Sequence, residues 1–241
     1  MTSCLGIDTS NYTTSAAVYR TDGTGCNSSR LLNVEHGGMG LRQSAALFQH
    51  VKRLPERFEE LQKAGLLTEL AAVGASTRPR AVEGSYMPCF LAGTSQGQVL
   101  AETLQVPFYA FSHQQGHIAA ACWSAGRLEL LDEPTLAWHL SGGTTELLLV
   151  VPEEGNVRAA RIGGTTDLAA GQLIDRTGKL LHLDFPAGKA LDKLANETEE
   201  KERFRVRLDG LNFSLSGIEN KVQKLVEKGK APAMVARYVL L

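Results

Sequence analysis

The chain has 241 residues, 43% hydrophobic and 21% charged, with a formal net charge of -1. That is ordinary globular composition, enough for one large domain or two modest ones. It excludes a general attraction to nucleic acid or membranes, so a polyanionic partner has to meet a local basic patch.

No apolar run approaches the ~20 residues that span a bilayer. Four cysteines, Cys4, Cys26, Cys89 and Cys122, form no C-x-x-C pair and read as free thiols of a reducing cytosol. The opening Met-Thr-Ser-Cys-Leu-Gly lacks a charged n-region, so no signal peptide is expected and the location is cytoplasmic.

In chain order, Cys4–Ile7 is a short apolar strand and Thr13–Tyr19 a β-branched second one. Polar residues 21–29 turn the chain, and Arg30–Val34 makes a third strand. From Leu41 to Leu61 apolar residues recur every three or four positions (Leu41, Ala45, Phe48, Val51, Leu54, Phe58, Leu61), an amphipathic helix that Pro55 kinks or splits. Leu70–Ala75 is a buried strand, Met87–Leu104 a helix and Pro107–Phe111 a strand. A helix bearing His113 and His117 follows. The pattern then restarts. Thr135–Leu140, Glu146–Val151 and Val157–Ile162 read as strands, and Asp167–Leu181 as a helix. Helical stretches Leu215–Glu227 and Pro232–Leu241 close the chain. Two units of the same design, divided near Gly126–Glu133, suggest a duplicated α/β fold with a cleft between the halves. The strands matching Leu70–Ala75 and Pro107–Phe111 have no counterpart in the second unit, which reads as truncated.

Three features carry chemistry. His113 and His117, four residues apart, lie on one helix face, and both can aim a nitrogen at one divalent metal; a pair of surface histidines is the alternative. Two polar turns, Gly6–Thr14 and Leu140–Glu146, place glycines and hydroxyls at strand ends. Such turns suit a phosphate, with Asp8 placed to hold a metal or water; they are equally the residues of ordinary hairpins. Asp175 sits two turns past Asp167 on the same helix face. It reads either as a carboxylate for ribose hydroxyls or as an i,i+4 partner of Lys179, while Phe185–Gly188 can pass near a sugar. Asp167 reads as a helix-start residue behind Thr165 or Thr166, and Ser216 with Glu219 as a capping box.

Taken together, these motifs resemble the TsaD/Gcp family of tRNA threonylcarbamoyl-adenosine transferases, once labelled O-sialoglycoprotein endopeptidases. Gly6-Ile-Asp-Thr-Ser10 is similar to the family's G-I-E-T-S, and His113-Gln-Gln-Gly-His117 to H-M-E-G-H. Leu140-Ser-Gly-Gly-Thr-Thr-Glu146 is similar to V-S-G-G-H-T-Q, and Asp167 to Asp175 to D-D-A-A-G-E-A-F-D. Leu183 to Gly188 is similar to L-D-Y-P-G-G, and Asn212 to Gly217 to D-F-S-F-S-G.

The resemblance implies an actin/Hsp70-like ATPase fold of two ribonuclease H-like halves, residues 1–128 and 129–241, the second incomplete. It implies transfer of a threonylcarbamoyl group from threonylcarbamoyl-AMP to N6 of the tRNA adenosine 3′ to the anticodon. His113 and His117 would hold iron or zinc; Asp8, Ser141, Gly142, Gly143, Asp175 and Gly188 would serve an ATP- or AMP-type nucleotide. tRNA, a TsaB-like paralogue and a small TsaE-like ATPase are the implied partners. Basic surface for tRNA could come from Arg78 and Arg80, from Lys201–Arg207 or from Lys221–Lys230.

The departures are specific. The family's D-N-x-x-M-I aspartate, its third metal ligand, and its G-G-V-x-x-N loop do not occur. Ala75–Gly84 replaces T-A-G-P-G-L, Gln115 replaces the acid between the histidines, and Thr144 stands for the histidine after S-G-G. These departures keep a second reading open: a non-catalytic nucleotide-binding or scaffold paralogue that pairs with a family member through its first half. A metalloprotease ranks last, because no H-E-x-x-H is present.

Overall fold

The computed structural model describes residues 2–10, 12–34 and 41–241; Asn11, in the first polar turn, lies outside them. They form two compact units, Met1–Glu129 and Leu130–Leu241.

The first unit is a five-stranded sheet of order β3-β2-β1-β4-β5. Its strands are β1 (Ser3–Asp8), β2 (Thr13–Arg20), β3 (Gly25–Leu31), β4 (Leu70–Arg78) and β5 (Phe108–Ser112). β1, β2 and β3 form an antiparallel meander, whereas β4 runs parallel to β1 and β5 parallel to β4. Leu5, Ile7, Ala16, Val18, Val73 and Ala75 of the sheet pack with Leu54 and Leu61 of α1 (Gln43–Lys63) and with Ala92 and Ala101 of α2 (Phe90–Leu104). Gly97 lets α2 lie close to the sheet, since a Cβ there would meet the Phe108 ring at 2.9 Å.

Two expectations are corrected here. β3 occupies Gly25–Leu31, not Arg30–Val34. It is an edge strand that buries only Ser28, so its polar residues carry no apolar alternation to mark it. α1 runs unbroken through Pro55. Pro55 and Val51 sit on its exposed side, where water can take the carbonyl that proline leaves without a partner.

The buried stripe of α1 is also displaced from the apolar pattern. It reads Ala46, His50, Leu54, Arg57 and Leu61, while Phe48 and Val51 face outward. The buried polar groups bring partners with them. Arg57 donates to Glu60 (2.8 Å) and to Ser28 Oγ (3.2 Å). His50 is 0% exposed, and its Nδ1 lies 2.8 Å from Thr14 Oγ1. Its Nε2 has no hydrogen-bond partner among the described residues.

The second unit repeats the meander as β6 (Thr135–Leu140), β7 (Thr145–Glu153) and β8 (Asn156–Thr165). It continues through β10 (Asn212–Phe213), parallel to β8, and β9 (Leu208–Asp209), giving the order β6-β7-β8-β10-β9. β6 thus ends its sheet, where its counterpart β1 is flanked by β4. Helices α4 (Ala170–Leu180), α5 (Gly188–Ala195), α6 (Ser216–Glu227) and α7 (Pro232–Leu240) share one core around Leu173, Leu191, Ile218, Val222 and Val235. α5 carries no sequence expectation: eight residues make too short a periodic run to read. No helix among the described residues is long and apolar enough to cross a membrane.

α4 lies against the segment before α5 at backbone distance. A Cβ on Gly178 would fall 2.1 Å from the Ala187 Cβ. Gly178→Ala gains about 1 kcal/mol of helix propensity but overpacks that contact at about 1–3 kcal/mol. Urea unfolding is expected to show a net loss, recovered in part by adding Ala187→Gly, which removes the opposing methyl.

Candidate active site

In the first unit, topology does the assembling. β1, β4 and β5 are parallel neighbours, so their carboxyl ends share one edge of the sheet, where open α/β sheets bind ligands. Asp8 ends β1, and His113 opens α3 (His113–Ser124) directly after β5. Residues 105 positions apart thereby meet: His113 Nδ1 donates to Asp8 Oδ2 at 2.7 Å. Asp8 Oδ1 accepts the Ser10 N–H at 2.8 Å. Burial pushes the Asp8 carboxyl up. The His113 hydrogen bond and charge, with Ser76 and the Ser10 N–H, outweigh that and lower it to about 2. Asp8 is therefore an anion throughout the neutral range.

One turn along α3, His117 Nε2 lies 2.8 Å from His113 Nε2, with the rings edge-on. In the neutral ring, an Nδ1 proton directed at Asp8 leaves Nε2 as the lone-pair nitrogen that faces His117 Nε2. The start of α3 is fixed by a capping box, in which the Gln115 N–H donates to Ser112 Oγ (3.2 Å) and the Ser112 N–H to Gln115 Oε1 (2.8 Å). The glutamine between the histidines thus belongs to the helix start, and Ser112-x-x-Gln115 is a legible signal for it. Phe90, at the start of α2, packs on the His113 ring with centroids 6.1 Å apart.

This donor set fits a divalent cation. Two imidazole nitrogens sharing a tetrahedral metal at ~2.0–2.1 Å each stand roughly 3.3 Å apart. A carboxylate behind the first ligand is the usual outer partner that fixes its tautomer. The pair needs to open by only about 0.5 Å to meet that geometry. No group of three His, Cys, Asp or Glu that could hold a metal occurs among the described residues.

In the second unit, α4 gathers the remaining residues. The Ser141–Thr144 turn joins β6 to β7. Ser141 Oγ accepts the N–H groups of Gly143 (3.2 Å) and Thr144 (3.0 Å) and lies 2.6 Å from Thr144 Oγ1. A Cβ on Gly171, in the first turn of α4, would fall 2.5 Å from the Ser141 carbonyl oxygen and 2.7 Å from the Gly142 Cα. The helix start therefore presses on the turn. Asp175 lies one turn further along the same face. Its Oδ1 accepts the Ala187 N–H at 2.9 Å, immediately before Gly188. Asp175 is therefore not the partner of Lys179; it holds the 187–188 corner beside the helix. Gly142 and Gly143 behave differently from Gly171. A Cβ on either would meet nothing within 4 Å, and neither occupies the left-handed region.

The Asp167 expectation is corrected. α4 begins at Ala170, leaving Asp167 outside it. The carboxylate instead ties two segments together. It accepts Ser214 Oγ (2.5 Å), Ser216 Oγ (2.7 Å) and the N–H groups of Leu215 (2.9 Å) and Leu168 (2.5 Å). The Ser216–Glu219 capping box does not form, because Ser216 donates to Asp167 and Glu219 pairs with Arg176 at 3.0 Å. No local spacing signals a contact between residues 47 apart.

Comparison with known proteins decides the family. The family model described as TsaD, tRNA N6-adenosine threonylcarbamoyltransferase, matches residues 33–238. The chain belongs to that family. A tRNA N6-adenosine threonylcarbamoyltransferase of Thermus thermophilus is 38% identical over 97% of the chain and 70% of its own length. One of Rhizobium johnstonii is 34% identical over 92% of the chain and 61% of its own length. Among solved structures, HypF of T. kodakarensis matches 98% of the chain and 38% of its own with a TM-score of 0.54 at 12% identity. A full-length HypF in a phosphate- and nucleotide-bound form matches 98% of the chain and 43% of its own with a TM-score of 0.52. Those likenesses bear on the fold alone, which is the expected actin/Hsp70-like ATPase class. The activity of the family is threonylcarbamoylation of tRNA.

Small burial of the Asp167 carboxylate raises its pKa, but the hydroxyls of Ser214 and Ser216 and the N–H groups of Leu215 and Leu168 outweigh that and hold it far below the usual carboxylate range. Its folded pKa is below its unfolded value of about 3.9, so its contribution to stability is present above that pH and lost as pH falls through the folded value. Asp167→Asn is expected to lower the melting temperature at pH 7 and to flatten its decline below about pH 4. Thermal melts of both proteins between pH 7 and 2 check this.

Proposed function

We propose that the chain's own residues serve the transfer of threonylcarbamoyl from threonylcarbamoyl-AMP to N6 of the tRNA adenosine 3′ to the anticodon. The observation that carries this reading is the pair Gly142 and Gly143, glycines that neither packing nor backbone conformation requires. Free approach by a ligand is the remaining physical use of a missing side chain in a tight polar turn. The turn receives the adenylate phosphate through backbone N–H groups and the Ser141 and Thr144 hydroxyls. Asp175 keeps Oδ1 on the Ala187 N–H and turns Oδ2 to the ribose hydroxyls, with Gly188 leaving room for the sugar.

In the first unit, His113 and His117 bind one divalent metal, iron or zinc, which when bound supplies Lewis-acid polarisation of the threonylcarbamoyl carbonyl. Asp8 holds the Nδ1 proton of His113 and so keeps Nε2 as the donor nitrogen. The tRNA adenosine provides the nucleophile: its N6 bonds to the carbonyl carbon, the bond to the phosphate oxygen breaks, AMP leaves and the amine loses one proton. No protein nucleophile is needed. A TsaB-like paralogue and a TsaE-like ATPase are the proposed partners, in the cytoplasm.

The scaffold reading is favoured by one observation, the lack of a third ligating residue beside the two histidines among the described residues. Metal titration separates the two readings. Zinc or iron(II) added to the chain under reducing conditions is expected to bind with one-to-one stoichiometry. His113→Ala or His117→Ala should abolish binding, and Asp8→Asn should weaken it by about 10–100-fold. Absence of stoichiometric metal from the unaltered chain would favour the scaffold.

Nucleotide binding has its own check. Gly143→Ala is expected to leave the melting temperature unchanged, because the methyl enters open space. It should weaken AMP or ATP binding in calorimetry by about tenfold or more. Equal affinity in the two proteins would remove the phosphate role of the turn.

A further inference from the structure

Of the three basic stretches, residues 201–207 combine unpaired cations with an exposed aromatic surface. Lys201, Arg203, Arg205 and Arg207 are all exposed, while Phe204 and Val206 between them are partly buried in the helical core. Burial alternating with a period of two is the signature of extended chain, which places successive side chains on opposite sides. The four cations therefore line one side at intervals of roughly 6.6 Å. The other side is anchored by Phe204, whose ring tilts against Tyr238 with centroids 5.9 Å apart. None of the four cations has an ion-pair or hydrogen-bond partner among the described residues. Glu202 falls on the anchored side, where its charge acts on Tyr238, and Asp209 terminates the row. By contrast, Arg80 is already engaged, and the lysines of α6 share an exposed helix face with Glu227.

The row leads straight into β9 and an apolar pocket lined by Trp138, Leu147, Val206, Leu208, Leu211 and Phe213. Trp138 is 53% exposed and Leu208 66%. The indole is steadied by Phe213, with centroids 6.0 Å apart. A file of unpaired guanidinium groups that ends on an open indole is complementary to looped, single-stranded RNA. Guanidinium forks take phosphate oxygens bidentately, and unstacked bases lie on aromatic faces. A duplex offers the phosphates without the free base face.

We infer that residues 201–207 and Trp138 form an RNA-binding surface of the second unit. Arg203, Arg205 and Arg207 grip successive backbone phosphates of the tRNA, and Trp138 stacks on an unpaired loop base. The inference deepens the tRNA-modification reading and rests on it.

The test uses the full chain and a fluorescently labelled, unmodified tRNA transcript with adenosine 3′ to its anticodon. Binding is followed by anisotropy at several potassium chloride concentrations. Arg203→Gln/Arg205→Gln/Arg207→Gln is expected to weaken binding at least tenfold. It should also make the plot of log K against log salt shallower by about 2, because each lost phosphate contact removes roughly 0.7–0.9 from the slope. Trp138→Ala should cost about tenfold with the slope unchanged. Lys221→Gln/Lys224→Gln/Lys228→Gln, an equal loss of charge elsewhere, should cost less than threefold. Circular dichroism confirms that each variant is folded. Unchanged affinity and slope in the triple-arginine variant, with the unaltered chain binding tRNA, would overturn this surface alone. Failure of the unaltered chain to bind tRNA would overturn both readings. A fully paired RNA duplex of equal length competing as well as the tRNA would overturn the stacking role and, with it, the assignment.

Discussion

The second unit depends on how closely α4 approaches its surroundings. Two missing side chains, at Gly171 and Gly178, let one helix face touch backbone at both ends, the Ser141–Gly142 turn at one and Ala187 at the other. Between them Asp175 hydrogen-bonds across the gap. Protein interiors are packed so tightly that a single methyl at either glycine has no room. The turn, the carboxylate and the 187–188 corner are therefore spaced by van der Waals contact along one rigid element. Asp167 adds a second tie, fastening the segment before α4 to the start of α6 through three hydrogen bonds.

The first unit uses sheet order where the second uses helix packing. Parallel pairing of β1 with β4 and of β4 with β5 brings the ends of distant segments to one edge. There an aspartate that remains ionised meets an imidazole. The contact does two things at once. It stabilises the carboxylate against its own burial, and it selects which nitrogen His113 presents. A lone carboxylate or a lone histidine would do neither.

Much of this was legible in the sequence where the physics is local. The strands that become β1, β2, β4, β6 and β7, and the helices α1, α2, α3, α6 and α7, follow from apolar periodicity. The histidine pair follows from helical spacing, and the tight Ser141–Thr144 turn from its glycines and hydroxyls. What was not legible is of two kinds. β3 and the stripe of α1 break the apolar rule because polar groups enter the interior with partners of their own, as Arg57 does with Ser28 and Glu60. The Asp8–His113 and Asp167–Ser214 contacts join residues 105 and 47 positions apart, and periodicity holds no information at that range. The parallel strand order predicts the first contact once it is known.

His50 places a limit on conditions. Its ring is wholly enclosed, and burial pushes its pKa down; the charge of Arg53 acts the same way, and the Ser10 backbone and Asp8 only partly oppose it. An imidazole that stays neutral when folded takes up a proton more readily once released. Stability is therefore withdrawn as acidity increases from about pH 6.5 down through the folded value. The segment His50 grips at Thr14 leads back to Asp8. One enclosed ring, joined to β2 at Thr14, thus makes mild acid a cost to the folding of the whole first unit.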